Sequence, residues 1–581
     1  MPTPTHDAAP HADWRPPAGK PSPASRLMRA SWRGLPPRRY EAGREAGAPV
    51  PGADGSPLLT DHYFPRATGD FPTLLVRSPY GRGLPWAPQF GMLFAEQGFH
   101  VVLQSCRGTG GSGGGFDLWR HEAGDGQATV AWLREQPWFN GVLGTIGPSY
   151  LGYVQWALAL DPPPELKAMV VQMGLHDPHA LFHSGGVPQL ENTLVCGVGT
   201  THQHQGAWPL AKATLRLRKR LEQITTARPL RGAYAAALGD EPPWLDGVLA
   251  HPDADHPHWQ GASTGGAADG LTVPTCLIGG WHDALLGQTL EQYARLRRSG
   301  CPASLLIGPW THTSAFQRGW PEVFAESLAW LRAHLCGDPS GLRQRPVRVH
   351  TGGADAWREM DDWPAEAPVT PWYPTADGHL TRQAPTDDGP LASFRYDPAD
   401  PTPSVGGPLL SPEAGPRDNG ALEARDDVLT FTGPPLDAPL DLLGPVSARL
   451  DVAADTGHAH VFVRLCEVDA RGRSRNICDG LARLGTGQDT PARITVPMSA
   501  TAHRFPAGHR VRLQVSGGAH PRFARSSGTA EPPADAVEFV PVRLTVHADS
   551  ALLLPQEAGE SGDGHELREG RTAGGTADAV G

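Results

Sequence analysis

The sequence predicts an α/β core on a mostly parallel sheet, interrupted by a helical insertion and followed by a C-terminal antiparallel β-sandwich domain. Short apolar runs alternate with longer amphipathic stretches over residues 70–175 and again over 274–336. That alternation is typical of βαβ units. Residues 176–262 interrupt it with helix-leaning sequence, and over residues 347–548 apolar residues recur with a period of two. This period indicates half-buried antiparallel strands.

The first half of the core is predicted from four apolar runs, each short enough for a strand. Between them lie stretches that are long enough for helices, WAPQFGMLFAEQG and GQATVAWLREQ. Parallel strands need crossover connections of that length, which are usually helices. The predicted strands are TLLV (73–76), HVVLQS (100–105), VLGTIG (142–147) and KAMVVQM (167–173).

The insertion precedes the second half of the core. Its clearest helix is the amphipathic segment LAKATLRLRKRLEQI. The strand pattern then resumes with PTCLIGG (274–280) and ASLLIGPW (303–310), each followed by a helical stretch. We therefore expect one core built from residues 36–175 and 263–340, with residues 176–262 forming a helical cap, because such insertions often cover a functional site.

A polar hinge, GDPSGLRQRP, separates the core from a C-terminal part with almost no helix. Short strands bounded by Pro and Gly turns recur there, as in VSARLDV, HVFVRLCEV and HRVRLQV. This pattern is typical of a sandwich or a jelly roll, and we expect that domain to span residues 345–550. Small, polar and proline residues dominate both ends of the chain, so residues 1–35 are expected to form a flexible N-terminal arm and 556–581 a disordered tail.

Composition and charge argue against several classes of protein. The 581 residues carry a net charge of −11, which argues against electrostatic binding of nucleic acid. No run of 18 apolar residues occurs, so no transmembrane helix is expected. The seven cysteines are widely spaced without a C-x-x-C pair, and the N-terminal residues lack an apolar signal region. We therefore expect a cytoplasmic protein with no nucleic-acid or membrane partner; a homo-oligomer is compatible with these observations.

The first chemical signal is the segment VLGTIGPSYLGYVQWALAL, in which Ser149 follows a predicted strand and directly precedes an apolar helix. A nucleophilic serine needs that tight turn, because its hydroxyl must project past small neighbours. The pattern G-x-S-x-G is not met, since Leu151 stands where the second glycine belongs and Gly152 follows it. On this segment alone, a serine that caps a core helix explains the pattern equally well.

Two further residues favour the catalytic interpretation. Asp283 follows the strand PTCLIGG in GGWHD, and His312 follows LLIGPW in GPWTH. Both lie just beyond the carboxyl end of a predicted strand, where open α/β sheets meet their ligands. The chain order Ser149, Asp283, His312 is that of α/β-hydrolases and differs from the orders of both serine protease folds. Three such residues in that order make a chance arrangement a poor explanation.

Several motifs resemble those of the CocE/NonD family of hydrolases, which is similar to X-prolyl dipeptidyl-peptidases and α-amino-acid ester hydrolases. The resemblance covers about residues 45–550 and accounts for the displaced glycine, because the serine turn of this family is G-x-S-Y-x-G. It implies an α/β-hydrolase core with a helical cap insertion and a C-terminal jelly-roll-like β-sandwich domain. The matching segments are RSPYGRG (77–83), CRGTGGSGGGF (106–116), GPSYLG (147–152), GGWHD (279–283), GPWTH (308–312), RYDPADPTP (395–403), GPVSARLDV (444–452) and HRVRLQVSGGAHPRF (509–523).

The resemblance also implies the catalytic roles. It makes Ser149 the nucleophile, His312 the general base and then the general acid, and Asp283 the residue that orients His312. It further implies that the Tyr80 hydroxyl and the Tyr150 backbone N–H form an oxyanion hole. These roles fit the chemistry of a serine that becomes nucleophilic only beside an oriented imidazole. The expected reaction needs no metal or organic cofactor.

Four other features carry weaker or opposing signals. Ser105 stands where family members commonly carry an acid, which puts a salt bridge of Arg107 in doubt. Residues 108–113 satisfy the dinucleotide fingerprint G-x-G-x-x-G, but no helix opens within that loop, so we expect no nucleotide. Trp156 and Trp281 are candidates for an acyl pocket, although core packing explains Trp156 equally well. Five histidines lack the spacing of metal ligands, and we expect no metal there; they are His176, His179, His183, His202 and His204.

These observations predict a serine hydrolase that cleaves a small-molecule ester or amide through a covalent acyl-serine intermediate. The residues after Asp283, Ala-Leu-Leu-Gly-Gln, include no acid that could bind a substrate's free α-amino group, which favours a neutral acyl group and carboxylesterase-like activity. Two alternatives use the same intermediate: an acyltransferase or biosynthetic tailoring enzyme, and an aminopeptidase similar to X-prolyl dipeptidyl-peptidases. A non-catalytic binding protein is the weakest interpretation, because a competent residue fills every position of the triad.

Overall fold

The computed structural model describes residues 16, 29–30, 32–239, 242–365, 367–386 and 389–557. Most of the expected arm and nearly all of the expected tail lie outside those residues. The last part of the arm contacts the core, since Arg29 pairs with Glu96 at 2.6 Å. The indole of Trp32 also donates a hydrogen bond to the Gln317 carbonyl at 2.9 Å.

The core is a mixed sheet with the strand order β1-β2-β4-β3-β5-β6-β9-β10-β11-β12. Seven neighbouring strands, from β4 across to β11, are parallel, whereas β2 and β12 pair antiparallel with their neighbours. Two short strands, β7 and β8, pair separately within the insertion. The strands are β1 (Ala42–Pro51), β2 (Pro57–Pro65), β3 (Thr73–Ser78), β4 (His100–Ser105), β5 (Leu143–Ser149), β6 (Leu166–Gly174), β7 (His183–Ser184), β8 (Val187–Pro188), β9 (Thr275–His282), β10 (Ala303–Thr311), β11 (Val347–Thr351) and β12 (Ala356–Met360).

Helices cover both faces of the sheet, so successive strand residues enter different hydrophobic clusters. Leu75 packs into one cluster, while its neighbours Leu74 and Val76 pack into the other. Burying such a side chain typically stabilises the fold by about 1.5–3 kcal/mol, which explains why these strands are apolar throughout. The longer helices are α1 (Glu122–Arg134), α2 (Tyr150–Leu158), α3 (Leu190–His202), α4 (Ala207–Thr225), α5 (Leu286–Arg298) and α6 (Trp320–Cys336); shorter helical segments are Ala87–Met92, Leu93–Ala95, Pro178–Phe182, Ala233–Leu238 and Leu245–Ala250.

The insertion between β6 and β9 is helical, as the sequence indicates. Its α4 buries Ala213, Leu217 and Ile224, which share one face of the helix, and turns its charged residues outward. These buried residues belong to a cluster that also contains Tyr150 and Leu285 of the core. The insertion therefore packs against the part of the core that carries the predicted nucleophile.

The C-terminal part forms antiparallel sheets around a separate hydrophobic cluster. One sheet has the order β14-β13-β25-β18-β24-β15, with β21 also paired to β18, and another has the order β16-β23-β19-β20. The fold class is therefore confirmed as an α/β-hydrolase core followed by an antiparallel β-domain. The strands are β13 (Val369–Pro374), β14 (Leu380–Thr381), β15 (Pro390–Tyr396), β16 (Val428–Thr432), β17 (Leu440–Gly444), β18 (Ser447–Ala454), β19 (His458–Val468), β20 (Ser474–Gly485), β21 (Ala492–Pro497), β22 (Thr501–Phe505), β23 (Arg510–Ser516), β24 (Val542–His547) and β25 (Ala551–Pro555).

The structure differs from the sequence-based prediction at both edges of the main sheet. Strands β11 and β12 extend that sheet to Met360, although the sequence pattern assigns their residues to the β-domain expected from residue 345. A period of two identifies a strand but not the sheet that it joins. The sequence pattern does not predict the hairpin β1–β2, although Asp54 and Gly55 lie in the turn between its strands.

Candidate active site

Ser149 occupies the sharp turn between β5 and α2. Its backbone has φ 57° and ψ −124°, a strained conformation for a residue with a side chain. The Ser149 side chain makes no capping hydrogen bond to the helix. The alternative interpretation, that Ser149 simply caps a core helix, therefore fails, and the strain is of the kind that accompanies an exposed nucleophile.

Two glycines make this turn sterically feasible. A Cβ atom at Gly147 would lie 2.5 Å from Cβ of Leu151, and one at Gly152 would lie 2.7 Å from Cα of Gly174 on β6. Helix α2 thus approaches the sheet closely at Gly152, one position later than in G-x-S-x-G. The intervening residue, Leu151, is fully buried, which explains why an apolar side chain occupies the place of the missing glycine.

Asp283 and His312 come together at the carboxyl edge of the sheet. They directly follow the parallel strands β9 and β10, which pair along most of their length. His312 Nδ1 lies 2.8 Å from Asp283 Oδ1. The Asp283 side chain is completely buried and that of His312 is 15% exposed, so the carboxylate is shielded while the imidazole can still meet a substrate.

Tyr80 contacts the predicted nucleophile with its hydroxyl. It follows β3 by two residues, its phenol lies within hydrogen-bonding reach of the Ser149 side chain, and its ring stacks on Trp86 at 5.5 Å. Its own N–H donates to Ser78 Oγ at 3.1 Å. Burial raises the pKa of the Tyr80 phenol well above its ordinary value, although the bond with Ser149 opposes that shift. The hydroxyl therefore stays protonated and can donate a hydrogen bond.

Tyr150 is the first residue of α2, so its N–H belongs to the first turn, where backbone donors lack partners within the helix. Its side chain is 4% exposed and points into the core, where the phenol meets Glu122. Sequence reasoning missed Glu122, because no local signal connects a residue at the start of α1 with one at the start of α2.

Trp156 and Trp281, which the sequence suggests as acyl-pocket residues, both lie in the hydrophobic core. Trp156 is fully buried in the hydrophobic cluster between the sheet and its helices. Trp281 lies in the same cluster, donates its indole N–H to the His350 carbonyl at 2.6 Å and packs against Trp363. Both indoles therefore serve the core. Trp281 precedes Asp283 by two positions, which is why the sequence suggests a pocket role for it.

The remaining sequence features have structural explanations. Arg107 pairs with Asp125 at 2.6 Å and with Asp54, so it has carboxylate partners despite Ser105, which accepts a hydrogen bond from Arg82 instead. After the glycine-rich loop 108–113 the next helix begins only at Glu122. Within the described residues, no group of three or more His, Cys, Asp or Glu side chains could hold a metal ion.

The core, insertion and β-domain meet around this edge. A Cβ atom at Gly415 of the β-domain would lie 3.5 Å from the side chain of Thr311, the residue before His312. Leu190 of the insertion and Phe462 of the β-domain share a hydrophobic cluster with Tyr150.

In the part of the chain that the structure describes, no helix is both long and apolar enough to span a membrane.

Comparisons with known proteins identify relatives of both the core and the β-domain. Residues 54–314 match the model of the X-Pro dipeptidyl-peptidase (S15 family), and residues 342–553 match that of the X-Pro dipeptidyl-peptidase C-terminal non-catalytic domain. The chain is 31% identical over 529 residues to cocaine esterase from Rhodococcus sp. (strain MB1 Bresler), an alignment that covers 83% of this chain and 92% of that protein.

Two solved structures are similar over nearly the whole chain. An aminopeptidase from a marine sediment archaeon, Thaumarchaeota archaeon, has a TM-score of 0.76 at 22% identity and covers 90% of this chain and 98% of its own. An α-amino acid ester hydrolase has a TM-score of 0.75 at 20% identity, covering 95% of this chain and 100% of its own. These structures support the fold, and the identity to the esterase supports the family. The chain therefore belongs to the CocE/NonD family of serine hydrolases, which act on esters or amides.

Proposed function

We propose that the protein hydrolyses a carboxylic ester with a neutral acyl group through an acyl-Ser149 intermediate. The observation that carries the proposal is the contact of 2.8 Å between His312 Nδ1 and Asp283 Oδ1. It lies at the same sheet edge as the strained turn of Ser149. That contact holds one tautomer of the imidazole and directs Nε2, the other ring nitrogen, to proton transfer.

The acylation step uses Ser149 and His312. As Ser149 Oγ bonds to the carbonyl carbon, its proton passes to His312 Nε2, and the carbonyl π electrons move to the oxygen. The Tyr80 hydroxyl and the Tyr150 N–H would donate hydrogen bonds to that oxyanion. When the oxyanion collapses, the bond to the alkoxy oxygen breaks and His312 returns its proton to the departing alcohol.

Deacylation repeats the sequence with water. His312 removes a proton from water as the water oxygen bonds to the acyl carbon, and Ser149 Oγ leaves with the proton that His312 then returns. The buried Asp283 carboxylate stabilises the imidazolium in both steps without itself becoming protonated. The products are a carboxylic acid and an alcohol.

The apolar segment beyond Asp283 supports a neutral acyl group. Leu285 and Leu286 are each 1% exposed. The side chain of Gln288 accepts hydrogen bonds from the backbone N–H groups of His176 and Asp177. This segment therefore offers no carboxylate to a substrate ammonium group, which an aminopeptidase would need.

The alternatives remain acyl transfer to an alcohol or amine and an aminopeptidase activity. The first differs only in the acceptor that attacks acyl-Ser149. The second is favoured by the family model, whose description names an X-Pro dipeptidyl-peptidase. Product analysis separates them, because hydrolysis releases the free acid, transfer releases a new ester or amide, and an aminopeptidase releases peptides.

The proposal is tested with a fluorophosphonate probe and a substrate panel. Intact mass should show one adduct per chain, located at Ser149, and Ser149→Ala should lose both the adduct and turnover. The matched control is Ser340→Ala, an exposed serine in a short helical turn, which should keep both. Acyl p-nitrophenyl esters should be hydrolysed much faster than aminoacyl-prolyl p-nitroanilides; labelling at another serine, or the reverse preference, would contradict the proposal.

A further inference from the structure

The side chain of Tyr150 has a task apart from that of its backbone N–H. Its hydroxyl accepts a hydrogen bond from the Trp119 N–H at 2.8 Å and donates one to Glu122 Oε1 at 3.1 Å. Burial, reinforced by the Glu122 carboxylate, raises the pKa of this phenol well above its ordinary value. The hydroxyl therefore remains protonated and keeps both hydrogen bonds.

Glu122 continues this chain of contacts to Arg77. Its Oε2 lies 3.0 Å from Arg77 Nη2, and Arg77 Nη1 donates to the Glu122 carbonyl at 2.7 Å. The remaining guanidinium nitrogen, Nε, donates to Gln104 at 3.0 Å. Both charged residues are 3% exposed. Asp125 also lies 3.9 Å from Arg77 Nη2, but removing the Glu122 charge would still take away the nearer of the two carboxylates that face this buried guanidinium.

The two ends of this network lead to the two proposed oxyanion donors. Arg77 lies on β3, three residues before Tyr80. Tyr150 is the first residue of α2, and its own N–H is the second donor. The contacts thus tie the end of β3, the start of α1 and the start of α2 to one another beneath the catalytic edge.

We propose that Arg77, Glu122 and the Tyr150 phenol form a positioning network that sets the spacing between the Tyr80 hydroxyl and the Tyr150 N–H. The proposal rests on the proposed function. Preorganised donors stabilise an oxyanion because they need not reorient as charge develops, and such groups depend on the residues that hold them. The network touches neither substrate nor reacting atoms, so its three members are positioning residues.

The backbone of Trp119 supports this assignment. Trp119 has φ 62°, which is strained for a large side chain. Its N–H is held by the Tyr150 hydroxyl, while its indole stacks on Trp259 of the insertion at 5.4 Å. The Trp119 carbonyl also accepts a hydrogen bond from the Tyr153 hydroxyl at 3.4 Å. The strained residue is therefore held by several contacts, and one of them is the phenol whose removal tests the network.

The test compares Tyr150→Phe with Tyr153→Phe. Tyr153 lies three residues further along α2, is 1% exposed, and donates its hydroxyl to the Ala262 carbonyl at 2.8 Å and to the Trp119 carbonyl at 3.4 Å. Its removal therefore controls for the loss of a hydroxyl that contacts Trp119. Each substitution thus removes one buried hydroxyl from the same helix. Tyr150→Phe should lower kcat about 10-fold or more while KM changes less than about 2-fold, because only transition-state binding is misaligned.

A second readout isolates the oxyanion hole. Phenylboronic acid forms a tetrahedral anionic adduct with a nucleophilic serine, so its inhibition constant should rise in Tyr150→Phe by the factor that kcat falls. Tyr153→Phe should leave kcat and the inhibition constant of phenylboronic acid within about 2-fold of wild type. This should hold even if its melting temperature falls as much as that of Tyr150→Phe. Glu122→Gln, which removes the charge facing Arg77, should behave like Tyr150→Phe and serves as the second variant if the first does not fold.

The outcomes separate this proposal from the function on which it rests. If wild-type protein neither hydrolyses esters nor binds the boronic acid, the proposed function fails and the network proposal with it. If wild-type protein does both, and the folded variants at positions 150 and 122 match its kcat and its boronate affinity, the network is structural only. A loss of stability without a change in either quantity would likewise assign the network a structural role alone.

Discussion

The Tyr80 hydroxyl can be separated experimentally from the rest of its side chain. The ring is held by stacking on Trp86, whereas the hydroxyl meets Ser149. Removing that one oxygen should leave the packing of the turn intact. Tyr80 is thus the position at which the role of a single donor can be measured most cleanly.

Tyr80→Phe should lower kcat by about 10²–10³-fold, since one of the two proposed oxyanion donors is lost. KM should change less, because the hydrogen bond strengthens only as negative charge develops on the carbonyl oxygen. Steady-state kinetics on an activated ester and on one with a poor leaving group would measure both constants. Near-wild-type kcat on both esters would make Tyr80 a packed turn residue.

Fluorophosphonate labelling of His312→Ala should differ from that of Tyr80→Phe. The substitution His312→Ala removes the proposed proton acceptor of Ser149, so labelling by the fluorophosphonate should almost disappear. In Tyr80→Phe the acceptor remains, and labelling should reach one adduct per chain, only more slowly. Equal labelling rates in the two variants would contradict the separate roles of base and donor.

At the scale of elements, the close approach of α2 to β6 holds the serine turn in place. The backbones of Gly152 and Gly174 nearly touch, since a Cβ atom on the former would lie 2.7 Å from Cα of the latter. Backbone cannot move aside as a flexible side chain can. The position of Ser149 and of the Tyr150 N–H therefore depends on a contact two to three residues away.

Gly152→Ala should displace α2 and cost about 1–3 kcal/mol of stability, the usual range for overpacking. Activity should fall further than stability alone explains, because Ser149, the proposed nucleophile, moves with the helix. The matched control is Gly199→Ala in α3, where a Cβ atom would have nothing within 4 Å; it should be neutral or stabilise by up to about 1 kcal/mol. Urea unfolding and kcat of the folded variants check both, and an active, equally stable Gly152→Ala would contradict the close-contact argument.

The helical insertion carries histidines that should not bind an essential metal. Several have other partners: His176 lies 3.5 Å from Glu291, His179 contacts the Pro252 carbonyl, and His204 accepts the Gly110 N–H. Activity should therefore survive dialysis against EDTA, as measured by hydrolysis of an activated ester before and after. Loss of activity that zinc restores would contradict this expectation.

At the scale of the whole molecule, several buried histidines make stability depend on pH. Burial lowers the pKa of each below its ordinary value of 6.5, because the charged imidazolium loses its hydration. These pKa values are about 3 for His100, His183 and His460 and about 4 for His282 and His520. The groups are spread over the core, the insertion and the β-domain, so acid should act on all three.

Stability should therefore fall as pH drops below about 6.5, because the unfolded chain then binds protons that the folded chain does not. Each such histidine contributes a slope of up to about 1.4 kcal/mol per pH unit between its unfolded and folded pKa values. His460→Gln should reduce that slope relative to the wild-type protein, because it removes one histidine whose pKa burial lowers. Urea unfolding at pH 7, 6 and 5 measures the slopes; a free energy of unfolding that is independent of pH would contradict the argument.

The sequence by itself determined the class of the fold and the residues most suited to catalysis. Strand periodicity and helical stretches are local, so they place Ser149, Asp283 and His312 at the ends of three strands without any knowledge of distant contacts. The common edge follows from a general rule, because parallel strands end on the same side of a sheet. The assignment of Tyr80 and Tyr150 needed the family resemblance, since neither has a local signature.

Tertiary structure alone decided which strands join which sheet and which side chains meet at a distance. Strand β11 belongs to the main sheet because it pairs with β10. Trp281, at the end of β9, packs into the hydrophobic core. The contact between Glu122 and Tyr150 joins residues that are 28 positions apart. Such contacts depend on how elements pack, and a periodic pattern shows that a residue is buried but not what it is buried against.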